Sequence, residues 1–212
     1  MTAAGAADTG GRQARRSVRT IGAGPGLAWL LVVTGALGLV ASFVITVDKI
    51  RLAENPDFRP SCSINPILSC TNVMRSAQAS AFGFPNPLIG LAAYAVVVAT
   101  GAGLLCGASF RRRYWIGLNL GMLFGAGFCM WLMSQALYSI GALCLWCCLA
   151  WAVTITMFCA TTAHTLDRAV VPAPGLLVAG AREFPWAVPV TWCLIVVLLV
   201  AVRFWSYWRT LV

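Results

Sequence analysis

The sequence predicts an all-α integral membrane protein, and three observations carry that expectation. Of its 212 residues 60% are hydrophobic and 10% charged, with a mean hydropathy of +0.83, whereas soluble domains carry about 25% charged residues. Five uncharged runs, at 27–47, 88–108, 115–137, 143–163 and 186–202, have about the length a helix needs to cross a hydrocarbon core. Every Asp, Glu, Lys and Arg falls outside those runs.

Residues 1–20 are rich in Gly, Ala and Arg and show no apolar period, so they read as a disordered cytoplasmic tail, followed by a single membrane domain over 21–212. The apolar run after RRSVR is longer than the core of a signal peptide, about 7–15 residues, and reads as the first transmembrane helix. The Arg15–Arg16 pair is then a flanking charge cluster rather than a twin-arginine signal. The longest polar segment, 48–86, holds Asp48, Lys49, Arg51, Glu54, Asp57, Arg59 and Arg75 and reads as an outer loop. Within it, TNVMRSAQASAF (71–82) predicts a short helix on the membrane surface, with Met74, Ala77, Ala81 and Phe82 along one face. Asn86–Pro87 predicts the start of the second helix, with asparagine as N-cap and proline where a missing N–H costs nothing. SQALYSIGA, short and uncharged, makes the third and fourth helices antiparallel neighbours. Pro172, Pro174 and Gly175 mark a loop between His164 and Phe184, and Trp186, Trp192, Trp205 and Trp208 flank the fifth run.

Five crossings put the termini on opposite sides. With the N-terminus inside, the inner segments carry Arg12, Arg15, Arg16, Arg19, Arg111, Arg112, Arg113, Arg168 and Arg182. The outer ones carry Lys49, Arg51, Arg59, Arg75, Arg203 and Arg209, so the excess of positive charge favours a cytoplasmic N-terminus. The net charge of +9 reads as topology plus attraction to anionic lipid. It does not read as nucleic-acid binding, because no soluble segment is long enough to form a binding domain.

The nine cysteines sort by position. Cys62 and Cys70 lie in the outer polar loop, where disulfides persist. Cys144 and Cys147, in CLWC, open the fourth helix on that same side, one turn apart and on one face. Cys106, Cys129, Cys159 and Cys193 lie within or beside apolar runs and read as small buried hydrophobes. Cys148 faces nearly the same way as Cys144, but C-x-x-C is the recurrent redox spacing. The positive end of the helix dipole stabilises a thiolate at Cys144, and a thiolate is the species that attacks a disulfide. Cys147 lies about 4.5 Å deeper along the axis, toward lipid-soluble reactants. Two thiol pairs at one membrane surface therefore point to disulfide exchange coupled to a membrane-soluble electron carrier.

The alternative is a metal-binding or structural membrane protein, since four outer thiols suit zinc or copper. Against it, structural zinc sites draw on tight pairs or nearby histidines, and the one histidine, His164, is predicted at the inner end of the fourth helix. No carboxylate or lysine falls inside the first four runs, which argues against a transporter.

These features resemble the vitamin K epoxide reductase family, in its bacterial branch that oxidises protein thiols. The resemblance rests on CSINPILSC, on Ser76 six residues after Cys70, on FGFPNPLIG entering the second helix and on CLWC opening a later one. It covers roughly residues 27–163. It implies a four-helix transmembrane bundle around a quinone site, here with a fifth transmembrane helix, multi-pass in the bacterial inner membrane with the active site facing outward. The electron acceptor it implies is a quinone, menaquinone or ubiquinone. The protein partner it implies is a thioredoxin-like (DsbA-like) thiol oxidase. On the family pattern Cys62 exchanges with that partner, Cys70 passes electrons to Cys144, and Cys147 acts on the quinone, each thiol step proceeding through a mixed disulfide.

Asn86 corresponds to a family asparagine that hydrogen-bonds a quinone carbonyl, a role compatible with capping the second helix. Ser76 corresponds to a serine near the active site, its other reading being a surface hydroxyl. Trp151 stands four residues after Cys147, where vertebrate members have a quinone-contacting tyrosine; an indole donates but does not accept. Many bacterial relatives carry a fused thioredoxin-like domain. This chain stops at Val212, soon after the fifth run, so the partner is expected to be a separate protein. The disulfide bond protein B architecture performs similar chemistry, but it places C-x-x-C in the first outer loop and the wider pair in the second, the reverse of the order here.

Overall fold

A backbone in hydrocarbon must satisfy its own N–H and C=O groups, so apolar sequence there becomes helix. The computed structural model describes residues 20–65, 67–170, 174–175, 179–180, 186–205 and 209. The predicted tail apart from Thr20, part of the loop between His164 and Phe184, and Trp208 lie outside the described residues.

Helix α1 (Pro25–Glu54) opens on a proline and runs for 30 residues, about 45 Å at 1.5 Å per residue. That exceeds a hydrocarbon core of about 30 Å, and its last two turns carry Asp48, Lys49, Arg51 and Glu54, which the sequence placed in a loop. The surface helix expected over 71–82 is broken at Ser76 into α2 (Cys70–Arg75) and a 3₁₀ turn (Ala77–Ser80); Met74 is buried but Phe82 is exposed. Helix α3 (Pro87–Leu105) begins at the expected proline, but the Asn86 side chain makes no capping hydrogen bond. Helix α4 (Arg112–Ser134) continues as a π turn over Gln135–Ile140 and ends at Gly141. The φ of 69° there is the left-handed region that glycine enters without penalty. Helix α5 (Leu145–Asp167) follows almost at once, with Cys144 as its N-cap. Helices α1, α3, α4 with its π turn, and α5 are long and apolar enough to cross a membrane; α6 (Ala187–Arg203) is apolar but has 17 residues.

Helix α1 packs against α3 and α5, and α4 packs against α5, while α3 and α4 meet less closely, the Thr100 and Tyr114 hydroxyls pairing between them. Small residues make the close approaches, as membrane helices require. A Cβ on Gly101 would lie 2.9 Å from the Ala28 carbonyl oxygen, and one on Gly38 would occupy the space of the Tyr94 ring. Gly38→Leu is therefore expected to destabilise the bundle by about 3 kcal/mol. An unchanged thermal midpoint in detergent would contradict the packing of Tyr94 on α1.

The two ends of the bundle differ. At one, strand β1 (Thr20–Ile21) pairs antiparallel with β2 (Phe110–Arg111). There Trp115 Nε1 donates to the Ile21 carbonyl at 3.0 Å and Arg112 Nε to the Val170 carbonyl at 2.7 Å. The cysteine-bearing loop and the turn before α5 lie at the other. Helix α6 lies against the side of the bundle, where Trp192, Val196 and Leu199 pack on a core containing Met133, Leu137 and Trp151.

Candidate functional site

Backbone hydrogen bonds splice the outer loop to the start of α5. Leu68 and Leu143 form a parallel bridge, in which Leu143 N donates to the Ile67 carbonyl at 2.7 Å and Ser69 N to the Leu143 carbonyl at 3.0 Å. Asn65 shapes the approach, its Oδ1 accepting from the Ile67 and Leu68 amides at 3.0 and 2.7 Å. Ser69 then caps α2 by accepting from the Asn72 amide. Cys70 comes two residues after Leu68 and Cys144 one after Leu143, so the bridge holds these cysteines side by side.

Cys62 and Cys70 form a disulfide. Cys144 Sγ lies 3.1 Å from Cys70 Sγ, and the three sulfurs all fall within 4.8 Å of one another. All three residues are buried, Cys62 least so, at 5% exposure against 0% for Cys70 and 1% for Cys144. Ile45, Leu52 and Met74 enclose them. Exchange proceeds by attack on one sulfur while the other leaves; from its position beside Cys70, Cys144 can form a Cys70–Cys144 bond and release Cys62.

Cys144 is the N-cap residue, outside the spanning helix Leu145–Asp167. Its thiol is held below its ordinary pKa chiefly by the Cys147 thiol, with the Cys147 and Trp146 amides assisting, against burial and the nearby Asp48 charge, which raise it. Such a thiol is poised for exchange, because the thiolate is the nucleophile.

Beneath the sulfurs a cavity of about 580 Å³ runs into the bundle. Cys144, Cys147, Ser76, Asn86 and Trp151 all line it, whereas Cys148 does not. It reaches the gap between α3 and α4, past Ala93 and Val96 on one side and Gly117, Gly121 and Gly125 on the other. Asn86 Oδ1 accepts from the Ala81 amide at 3.0 Å and Nδ2 donates to the Gln78 carbonyl at 2.7 Å. An amide nitrogen carries two hydrogens, so one is left for the cavity. Ser76 Oγ donates to the Val73 carbonyl at 2.7 Å. Trp151 is buried in the α4–α6 core.

Several wall residues were not among those the sequence pointed to. Lys49, assigned to a loop, donates from α1 to the Ala79 carbonyl at 3.0 Å and Ser80 Oγ at 2.7 Å, pinning the 3₁₀ turn over the cavity. Tyr94, Thr154 and Cys129 lie within apolar runs and line the cavity. Tyr94 is a polar tip inside a run that is otherwise almost wholly apolar, which is the signal that was available for it.

Comparison with curated proteins gave no match. A sequence model of the vitamin K epoxide reductase family matches residues 29–162, a stretch that holds both thiol pairs and most of α1 through α5. That match spans more than half of the chain and encloses the loop disulfide, the thiol against it and the cavity below; the protein belongs to the vitamin K epoxide reductase family, whose members are membrane oxidoreductases working between thiols and quinones.

Proposed function

We propose that the protein is a membrane thiol oxidase that takes electrons from a separate thioredoxin-like partner outside the cytoplasm and delivers them to a membrane quinone, so sustaining disulfide formation there. One observation carries this reading: Cys144 lies 3.1 Å from Cys70 while Cys147, one turn further along α5, lines the apolar cavity. A partner thiolate attacks Cys62 and opens the Cys62–Cys70 disulfide, and the partner's second thiol completes its own disulfide. The Cys70 thiolate then attacks Cys144 of an oxidised Cys144–Cys147 pair and releases the Cys147 thiolate. Cys62 resolves the Cys70–Cys144 bond, leaving Cys144 and Cys147 as a dithiol. That dithiol gives two electrons and two protons to the quinone and closes again as a disulfide.

The remaining Asn86 N–H suits a quinone carbonyl, Trp151 walls the head group, and Ser76 adds a hydroxyl to the cavity wall. The gap between α3 and α4 suits an isoprenoid tail reaching into lipid. Near Cys62 a polar cleft lined by Asp57, Arg59, Ser63, Asn65, Asn72 and Arg75 offers the partner a place to dock. The cysteines lie at the end of the bundle away from Arg111, Arg112 and Arg113, consistent with a bacterial inner-membrane protein whose arginine-rich end is cytoplasmic.

A second reading rests on the three sulfurs within 4.8 Å, which would suit a thiophilic ion once the disulfide is reduced. Purified protein in detergent, supplied with a dithiol, is expected to reduce a menaquinone or ubiquinone analogue. No reduction of either, together with stoichiometric zinc or copper in protein purified under reducing conditions, would favour the metal reading.

A further inference from the structure

The cavity presents opposite hydrogen-bonding characters at its two levels, and the deeper level is not used in the thiol relay. Tyr94 follows Asn86 by eight residues on α3, about 12 Å of helix, and is buried, its ring crossing Gly38 of α1 toward α5. Its Oη lies 2.7 Å from Thr154 Oγ1 and 3.3 Å from the Ala150 carbonyl oxygen, and Thr154 Oγ1 lies 2.7 Å from that same carbonyl. Two arrangements keep both hydroxyl hydrogens within this cluster. In one, Thr154 donates to Ala150 and Tyr94 donates to Thr154, both at 2.7 Å. In the other, Thr154 donates to Tyr94 and Tyr94 donates to Ala150 across 3.3 Å, longer than the 2.5–3.0 Å usual for O–H···O. The first is favoured, and in both the Tyr94 proton is spent inside the protein. Held so, Tyr94 offers the cavity its lone pairs, whereas Asn86 keeps an N–H.

We infer that Tyr94, held by Thr154 and Ala150, is the quinol-recognising residue: it accepts a hydrogen bond from a hydroxyl of the reduced head group at the end of the site away from Asn86. This rests on the quinone reading above. A quinone carries two carbonyl acceptors, so it can satisfy Asn86 but meets lone pairs at Tyr94. The quinol formed when it gains two electrons and two protons carries a hydroxyl that Tyr94 accepts. The site is therefore matched to its product, and product formation is favoured at the cost of slower release.

The test uses the full chain in detergent with Cys144→Ala and Cys147→Ala, so that no turnover occurs. A short-tailed menaquinone and its chemically reduced quinol are titrated anaerobically. Adding Tyr94→Phe is expected to weaken quinol binding about fivefold, the value of one neutral hydrogen bond, and to leave quinone binding unchanged. Thr154→Val, which leaves the Tyr94 proton only the long 3.3 Å contact with the Ala150 carbonyl inside the protein and so favours its turning to a cavity acceptor, is expected to tighten quinone binding with little change for the quinol. Equal weakening of both forms by Tyr94→Phe would mean a packing role only and would overturn the inference, as would no effect on either form or an unchanged quinone affinity in Thr154→Val. If the protein retaining Tyr94 binds neither form, the quinone reading itself fails and this inference with it.

Discussion

Cys147→Ala is expected to abolish quinone reduction by about three orders of magnitude or more, whichever thiol feeds the protein. Residues acting as one unit lose nearly all of their joint effect when any member is removed, and Cys147 is the sulfur of C-x-x-C that lines the cavity one turn below the exchange thiol. Cys148→Ala is the control. Cys148 lies outside the cavity wall and its amide simply donates to the Cys144 carbonyl at 2.9 Å in the first turn of α5. That variant is expected to keep most of its activity. Stopped-flow measurement of quinone absorbance with a small dithiol distinguishes them, and an inactive Cys148→Ala beside an active Cys147→Ala would reverse the assignment.

The second large effect separates the two ends of the relay. Cys62→Ala is expected to lower turnover with a thioredoxin-like donor by about a thousandfold, because the sulfur that receives the partner's attack is gone. A small dithiol is held to no docking geometry and feeds Cys70 and Cys144 directly, so its rate is expected to stay within about tenfold of the native protein. The ratio of the two rates, measured on one preparation, removes any general loss of folded protein from the comparison. Equal loss with both donors would contradict the assignment of Cys62 as the entry point.

Much of this was legible in the sequence, because the bilayer imposes strong rules. Uncharged runs of helix length located α1, α3, α4 and α5, and Asn86–Pro87 marked the start of α3 to the residue. Cysteine position alone separated the loop and C-x-x-C thiols from the rest. What was not legible came from tertiary packing. Hydropathy ended the first helix at residue 47, yet α1 continues to Glu54, because Leu52 packs beside the sulfurs and Lys49 bonds the 3₁₀ turn. The Asn86 capping role was displaced because its side chain is taken up by Gln78 and Ala81 across the loop, partners no local pattern reveals. The Leu68–Leu143 bridge joins residues 75 apart in sequence, and nothing in either tripeptide announces it. Tyr94 belongs to the cavity only because Gly38, on another helix, leaves room for its ring.

The most direct test of the relay is to trap its central intermediate. Cys147→Ser combined with Cys62→Ala removes both thiols able to resolve a Cys70–Cys144 bond, while leaving Cys144 beside Cys70 at 3.1 Å. The double variant, oxidised, digested without reductant and analysed by peptide mass spectrometry, should yield peptides joined through Cys70 and Cys144. A product in which Cys70 and Cys144 both remain free thiols would contradict the proposed order of electron transfer.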